Sequence, residues 1–450
     1  MQVPSVERSL GITAYCSSGA GIGGKIRAFP GDFIVQEILL NGSKASLQPQ
    51  VWRGRHRGKH TICILIKRSK DTFLALEEIA RRLKISRDRV GFGGIKDAHA
   101  VTAQYISVRG VPPERIAETH FHGITLYPVS FAPKPLKPNQ IWGNDFTITV
   151  RGIQDDPTAV KRKLKALIKE LSEISGVPNF FGYQRFGTVR PVTHLVGKQI
   201  ANRDFEGAVM TLLSWSSPSE PSDPRMARDR LKATGNLEEA LHTFPERLRF
   251  ERIMLEHLHN HPTDHVGALR RLPLGLRRLF LQAYQSYLFN RTLSRRMELK
   301  IPLNRCEIGD CVVPLSNGLP SRRYWRAQGK NLETLNERIG KAEACLAIPL
   351  IGYRSPPSIG IQAEVEEQIL AEEGVSRRSF YVGAVEEVST RGGLRTAVAP
   401  VHNLVTNTSV DEARLGKAKI VFQFQLSRGS YATVFMREII KPPDPIAAGF

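Results

Sequence analysis

The stretch from His60 to Arg109 limits the fold more than any other, because its apolar residues change period twice within 50 positions. HTICILIK (60–67) is a short apolar run, the pattern of a buried strand. Asp71 then stands as an N-cap, and Leu76, Ile79, Ala80 and Leu83 recur at i, i+3, i+4 and i+7 on one helical face. Gly91, Gly93 and Gly94 make a dense turn, after which Val101, Tyr105, Ile106 and Val108 resume as a strand. Strand, helix, glycine turn and strand in so short a run predict a compact α+β unit. Closely spaced glycines allow positive φ or close approach to a ligand, so the turn suits a site better than a core. It delivers Lys96 and Asp97, a carboxylate beside a cation, an arrangement that favours the charged form. Most turns of this composition are only turns, so the pair needs support from elsewhere in the chain.

That support starts with charge. Lys and Arg number 64 against 43 Asp and Glu, a formal net charge of +21. The surplus is spread over Arg53–Lys70, Arg81–Arg89, Arg270–Arg278, Arg291–Lys300 and Arg322–Lys330, with Trp52, Tyr324 and Trp325 interleaved. Basic runs carrying aromatics fit a nucleic-acid partner better than a merely soluble surface. The length of 450 residues predicts two domains, and 41% hydrophobic residues can fill their cores. Five cysteines (Cys16, Cys63, Cys306, Cys311, Cys345) are odd in number and mostly isolated, which argues against a disulfide framework and for a reducing, cytoplasmic setting. Cys306 and Cys311 lack a second pair to complete a zinc site. No apolar run approaches the ~18 residues of a membrane span. The opening MQVPSVERSLG lacks a signal-peptide layout, so no membrane partner is expected.

Two motifs mislead. GAGIGGK (19–25) nearly matches a phosphate-binding loop, but Ile26 stands where the magnesium-binding hydroxyl belongs, and Pro30 follows too soon for the required helix. No nucleotide cofactor is expected. HLHNHPTDH (257–265) crowds His257, His259, His261 and His265, yet the spacing through Asn260 and Pro262 does not set two ligands on one helical face. It reads as a polar loop, and no metal is assigned.

The rest of the chain adds a strand after KIRAFPGD, with Arg27 as a candidate cation, and another strand at FTITVRG from Phe146. A helix starts at Asp156-Pro157 with Val160, Leu164, Leu167, Leu171 and Ile174 on one face. It ends in SGVPNFFGYQRFG (175–187), where aromatics, glycines, Asn179, Gln184 and Arg185 are denser than a buried strand carries. Such a mixture suits a pocket for a flat polar ring, or else an aromatic-rich packed loop.

GGIKDAHAVTAQYISV resembles the Lys-Asp-x-x-Ala-x-Thr-x-Gln motif of the TruD family of tRNA pseudouridine synthases, and VPNFFGYQRFG is similar to that family's second motif. FPGDFIVQE, GNDFTI, QAYQSYLFNR and FQLSRGSYATVFMRE agree in order along most of the chain. Arg27 departs from the pattern, since many members carry Lys there; the change keeps the charge but alters its shape. The resemblance implies an α+β fold of pseudouridine-synthase type, a mixed or antiparallel sheet with flanking helices, interrupted by an inserted second α+β domain. Residues 1–190 and 393–450 would form the catalytic domain and 191–392 the insert. A composition shift after Arg190 and the stretch WSSPSEPSDP (215–224) agree with that division.

The implied activity is that of an isomerase, an intramolecular transferase that turns uridine into pseudouridine, with the uridine at position 13 of tRNA as the family's usual target. Isomerisation neither oxidises nor hydrolyses, so no cofactor is called for. Breaking the N1–C1′ bond builds positive character on the sugar, which one close carboxylate answers. Asp97 would fill that role, attacking C1′ or taking a sugar proton. Arg27 would be its direct partner in preference to Lys96, because neighbouring side chains in a strand point apart. Phe181 and Phe186 would wall and stack the base, Asn179 would bond the base or shape the loop, and Arg185 would meet phosphate. Arg395 and the Arg428-Gly429-Ser430 turn would line the cleft. The protein would act as a monomer on tRNA. The competing class is a non-catalytic RNA-binding or assembly protein on the same fold.

Overall fold

The computed structural model describes residues 2–52, 58–414 and 416–450. Arg53, Arg55 and Arg57 of the first basic run therefore lie outside the described residues. The fold is α+β, as the alternating periods predict. Its main sheet has eight strands. Six come from the first part of the chain: β1 (Phe33–Leu39), β2 (His60–Arg68), β3 (Val90–Phe92), β4 (Val101–Arg109), β5 (Ile124–Ala132) and β6 (Ile141–Ile153). The other two, His402–Val410 and Ala418–Ser427, return from the far end of the sequence. The order is His402–Val410, Ala418–Ser427, β6, β1, β4, β2, β5, with β3 pairing β4. β1 and β4 run parallel, and their other neighbours are antiparallel, so the sheet is mixed.

β2 and β4 are buried nearly throughout. This is why HTICILIK reads as a continuous apolar run and not as an alternation. Helix Thr72–Arg82 covers one face with Ala75, Leu76, Ile79 and Ala80, and the Asp71 carboxylate caps it by accepting from the N–H groups of Phe73 (2.7 Å) and Leu74 (3.2 Å). Helix Pro157–Glu173 buries Val160, Leu164, Leu167 and Leu171 beneath β6 and the returning strands. GAGIGGK forms no phosphate loop. Its Ile22 and Gly23 N–H groups donate to the Ile439 and Ile440 carbonyls, and a Cβ on Gly21 would stand 2.2 Å from the Ile440 oxygen. The glycines let the chain lie against helix Ala432–Ile440.

Between the two parts of the main sheet, the helices from Thr193 to Glu298 form a core of their own. A smaller sheet of Cys311–Ser316, Trp325–Arg326, Ala344–Leu350 and Gly393–Thr396 follows, with Leu319–Pro320 at its margin. Its last strand begins just past the boundary expected at 392. One face of this sheet (Val312, Leu346, Ile348) joins the core under the main sheet, which also takes in Phe289 and Leu293 of the long helix Leu274–Glu298. The histidine cluster is not the polar loop expected from its sequence: His257 and His259 sit on helix Arg249–Asn260, which runs on until His261. The His257 ring meets the Asp264 carboxylate at 3.0 Å. Among the described residues no group of three His, Cys, Asp or Glu side chains could hold a metal ion, and no helix is long and apolar enough to cross a membrane.

Candidate active site

The glycine turn between β3 and β4 is fixed from below by three buried side chains. The Lys67 ammonium on β2 donates to the main-chain carbonyls of Asp97 (2.7 Å) and Lys96 (3.4 Å). Thr72, the first residue of its helix, exchanges hydrogen bonds with the Lys96 carbonyl and N–H, both at 3.1 Å. Gln104 on β4 donates to the Gly94 carbonyl at 3.2 Å. Burial pulls the Lys67 ammonium down to about 8, against the opposing pull of Asp97 and Asp71.

Asp97 emerges from this support into a cleft of about 260 Å³. Its Oδ2 accepts from the Arg27 guanidinium and, at 2.9 Å, from Gln184 Nε2, while Oδ1 accepts the His99 N–H at 2.9 Å. The carboxylate side chain keeps 14% of its surface exposed. Arg27 lies over the Phe33 ring at 4.1 Å and donates to the Gly449 carbonyl, with a backbone φ of 55°. Lys96 faces elsewhere: its ammonium meets the buried Glu37 carboxylate at 2.6 Å and the Asn144 side-chain oxygen at 2.8 Å. Glu37 in turn accepts the Tyr105 N–H at 3.0 Å, so a buried ion pair braces the turn against β1, β4 and β6. Tyr431 and Thr433 of the returning chain close the opposite wall.

A family model described as tRNA pseudouridine synthase D (TruD) matches residues 9–439. The chain belongs to the TruD family. It is 38% identical over 443 residues to a protein of Methanosarcina mazei named "Probable tRNA pseudouridine synthase D", covering 98% of each chain. A protein of the same name from Methanococcoides burtonii is 36% identical over 441 residues, again with 98% of each chain covered. A crystal structure of a Methanosarcina mazei protein named "Putative tRNA pseudouridine synthase D (TruD)" superposes with a TM-score of 0.84 at 37% identity, covering 99% of this chain and 100% of that one.

The second TruD motif meets the cleft through Gln184 alone among its polar side chains. Asn179 is 5% exposed and both ends of its amide are held: Nδ2 donates to Thr396 Oγ1 (2.8 Å), and Oδ1 accepts from Arg395 (2.6 Å), so it shapes the loop. Arg395 lies 4.0 Å over the half-buried Phe181 ring and 5.9 Å from Tyr431, and burial lowers it to about 10. Phe181 meets Tyr431 edge-on at 6.3 Å, one ring behind the cleft wall. Arg185 turns to the long helix, donating to Ser286 Oγ (3.1 Å) and Gln282 Oε1 (3.3 Å). Phe186 is fully buried against His194, away from the cleft, because its loop turns it into the core next to helix Thr193–Ala201. The motif QAYQSYLFNR is structural here: Asn290 bonds both the N–H and the carbonyl of Phe181. Sequence reasoning did not single out Lys67, Glu37, Asn144 or Tyr431 for the site. Lys67 closes the apolar run HTICILIK and is followed at once by Arg68 and Lys70, so its sequence set it apart from the neighbouring basic residues in no way.

Proposed function

We propose that this protein isomerises uridine to pseudouridine in tRNA, with the uridine at position 13 as its target and Asp97 as the catalytic carboxylate. The observation that carries the reading is the Asp97 carboxylate itself, held at a cleft mouth by Arg27 and Gln184 in a chain of this family. Oδ2 is occupied by two donors and Oδ1 by one main-chain N–H, which leaves Oδ1 the freer oxygen for the sugar. Attack on C1′ and removal of a sugar proton both use that oxygen. In either route the N1–C1′ bond breaks, the base turns and C5 bonds to C1′ as the carboxylate leaves C1′ or returns the sugar proton; C5 then gives its proton to solvent and N1 takes one up from solvent. Arg27 balances the carboxylate before and after the step, and Tyr431 with Phe33 and Phe146 gives the detached base an apolar enclosure that keeps water out. Phe181 backs Tyr431, Asn179 and Arg395 fix that loop, Lys96 braces the turn through Glu37, and Arg185 ties the second motif to the long helix.

The uridine must leave its stack to reach Asp97, at a cost of a few kcal/mol that cleft contacts offset. The basic surface grips phosphates. All five cysteines are free, which supports a reducing, cytoplasmic setting, and the protein acts as a monomer in this reading. The test uses an unmodified tRNA transcript carrying tritium at uridine C5, whose release reports isomerisation. The Asp97→Asn protein is expected to release none while binding the transcript as the wild type does. Release by that variant at the wild-type rate would exclude Asp97.

A further inference from the structure

The smaller sheet has one covered face and one open one. Val312, Leu346 and Ile348 point into the shared core, whereas Val313, Ala347, Leu394 and Thr396 floor a second cavity. Register sets Ala347 directly across from Thr396, and the two share the open face. The cavity measures about 510 Å³, within the range of about 300–1,000 Å³ that accepts a small organic ligand. Its wall is the segment Pro320–Tyr324, which contributes Ser321, Arg322 and the Tyr324 ring, 39% exposed. Arg326 lies 5.9 Å from that ring, Arg323 falls within the wall segment, and Arg391 precedes the lining residue Gly392 in sequence. Among the described residues no carboxylate lines the cavity. An apolar floor, an exposed aromatic face, hydroxyls and a guanidinium are what an unpaired nucleotide requires: a surface to stack on, partners for the base edge and a cation for the phosphate.

The cavity is also joined to the Asp97 cleft. Thr396 on its floor accepts from Asn179, Asn179 is held by Arg395, and Arg395 lies on Phe181 and near Tyr431, which lines the cleft. Asn179, Arg395 and Phe181 thus stand between the groove's floor and the cleft's wall, so a strand with one nucleotide beside Asp97 has near neighbours beside the groove.

We propose that this groove is a second nucleotide site, binding an unpaired base of the same RNA strand within a few positions of the target uridine. The identity of the strand rests on the function proposed above; the groove's preference for an unpaired base does not. Target choice then depends on a neighbouring base as well as on the uridine.

The test measures Kd of the full chain for an unmodified tRNA transcript and for a set of the same transcript with single abasic sites on either side of the uridine. Tyr324→Ala and Arg322→Ala alter surface side chains, and thermal melting checks that both variants stay folded. Tyr324→Ala is expected to weaken binding about five- to twenty-fold, the worth of one stacked base at a partly exposed site. One abasic position should weaken the wild type by the same factor and leave Tyr324→Ala unaffected. Arg322→Ala should weaken every transcript alike and flatten the salt dependence. Wild-type affinity in Tyr324→Ala, or abasic effects of equal size in wild type and variant at every position, would overturn the proposal. Binding is read without turnover, so a wild type that binds but releases no C5 tritium counts against the proposed reaction and leaves the groove to its own result.

Discussion

Replacing Lys67 with Met should slow the chemistry while leaving the fold almost as stable. Lys67 is 1% exposed, and its ammonium lies 2.7 Å from the Asp97 carbonyl. Burial lowers it from 10.5 to about 8, which at about 1.4 kcal/mol per unit is a cost of ~3 kcal/mol for keeping the charge there. Methionine removes that cost and fills similar space. It also removes hydrogen bonds from a charged donor, worth about 1.5–3 kcal/mol. The two nearly cancel, so the melting temperature should move by only a few degrees. The turn, however, loses the bond that fixes Asp97 from below, and a displacement of about 1 Å at a reacting group costs on the order of 100-fold. Single-turnover release of C5 tritium should fall about 10- to 100-fold.

The sign of the pH effect follows from the lowered value. Below about 8 the folded and unfolded chains both carry the proton and the burial cost is present in full. Between about 8 and 10.5 the folded chain gives it up first, so stability rises with pH over that window. The neutral amine holds the carbonyls more weakly, so the rate should decline above pH 8 even as stability improves. Lys67→Arg should move that decline upward, because a guanidinium stays charged. A Lys67→Met protein with a rate within about twofold of the wild type would refute the reasoning, since misplacement by about 1 Å is expected to cost far more.

Phe181 and Phe186 should separate cleanly. Phe186→Ala empties a fully buried site and should cost about 3–5 kcal/mol of stability, whereas Phe181→Ala should lower the isomerisation rate more than the melting temperature, both read on the same preparations. Asp310→Ala strips the carboxylate that meets both terminal nitrogens of the buried Arg296, at 2.8 and 2.6 Å. The denaturation midpoint should drop by the equivalent of about 3–5 kcal/mol. Arg27→Lys keeps a cation for Asp97 but cannot also reach Gly449 and cover Phe33 as the planar group does. Its rate should fall less than that of Arg27→Ala, and equal losses in the two would show that charge is not what Arg27 supplies.

The site was legible in the sequence where a residue type was out of keeping with its local pattern. The Lys-Asp pair on a glycine turn, the Asp71 and Asp156 caps and the periods of their helices could be read because each depends on neighbours in the chain. The loop from Ser175 to Gly187 could not be sorted in that way. It has no period, so nothing local distinguishes Phe181, edge-on to Tyr431, from Phe186, buried against His194. Asn179 and Arg185 had plausible polar duties toward RNA, but their partners, Arg395 and Ser286, lie 216 and 101 positions away. The pairing of Lys96 with Glu37 in place of Asp97 follows from β1 lying parallel to β4, a register that pattern alone does not fix.

The ordering of these residues bears on how the main sheet accommodates the long stretch of chain between its two parts. The intervening helices and small sheet leave the main sheet after the second motif and return just before the strand His402–Val410. Both edges of that interruption are tied together at one place. Asn179, ahead of it, bonds Arg395 and Thr396, at its end, and the N–H of Asn179 donates to the Ala397 carbonyl at 2.8 Å. The same knot carries Phe181 and, through it, the Tyr431 wall of the cleft. A shift of the small sheet would therefore act on Asn179 directly and reach the Tyr431 wall through Arg395 and Phe181, which couples the position of that sheet to the shape of the cleft.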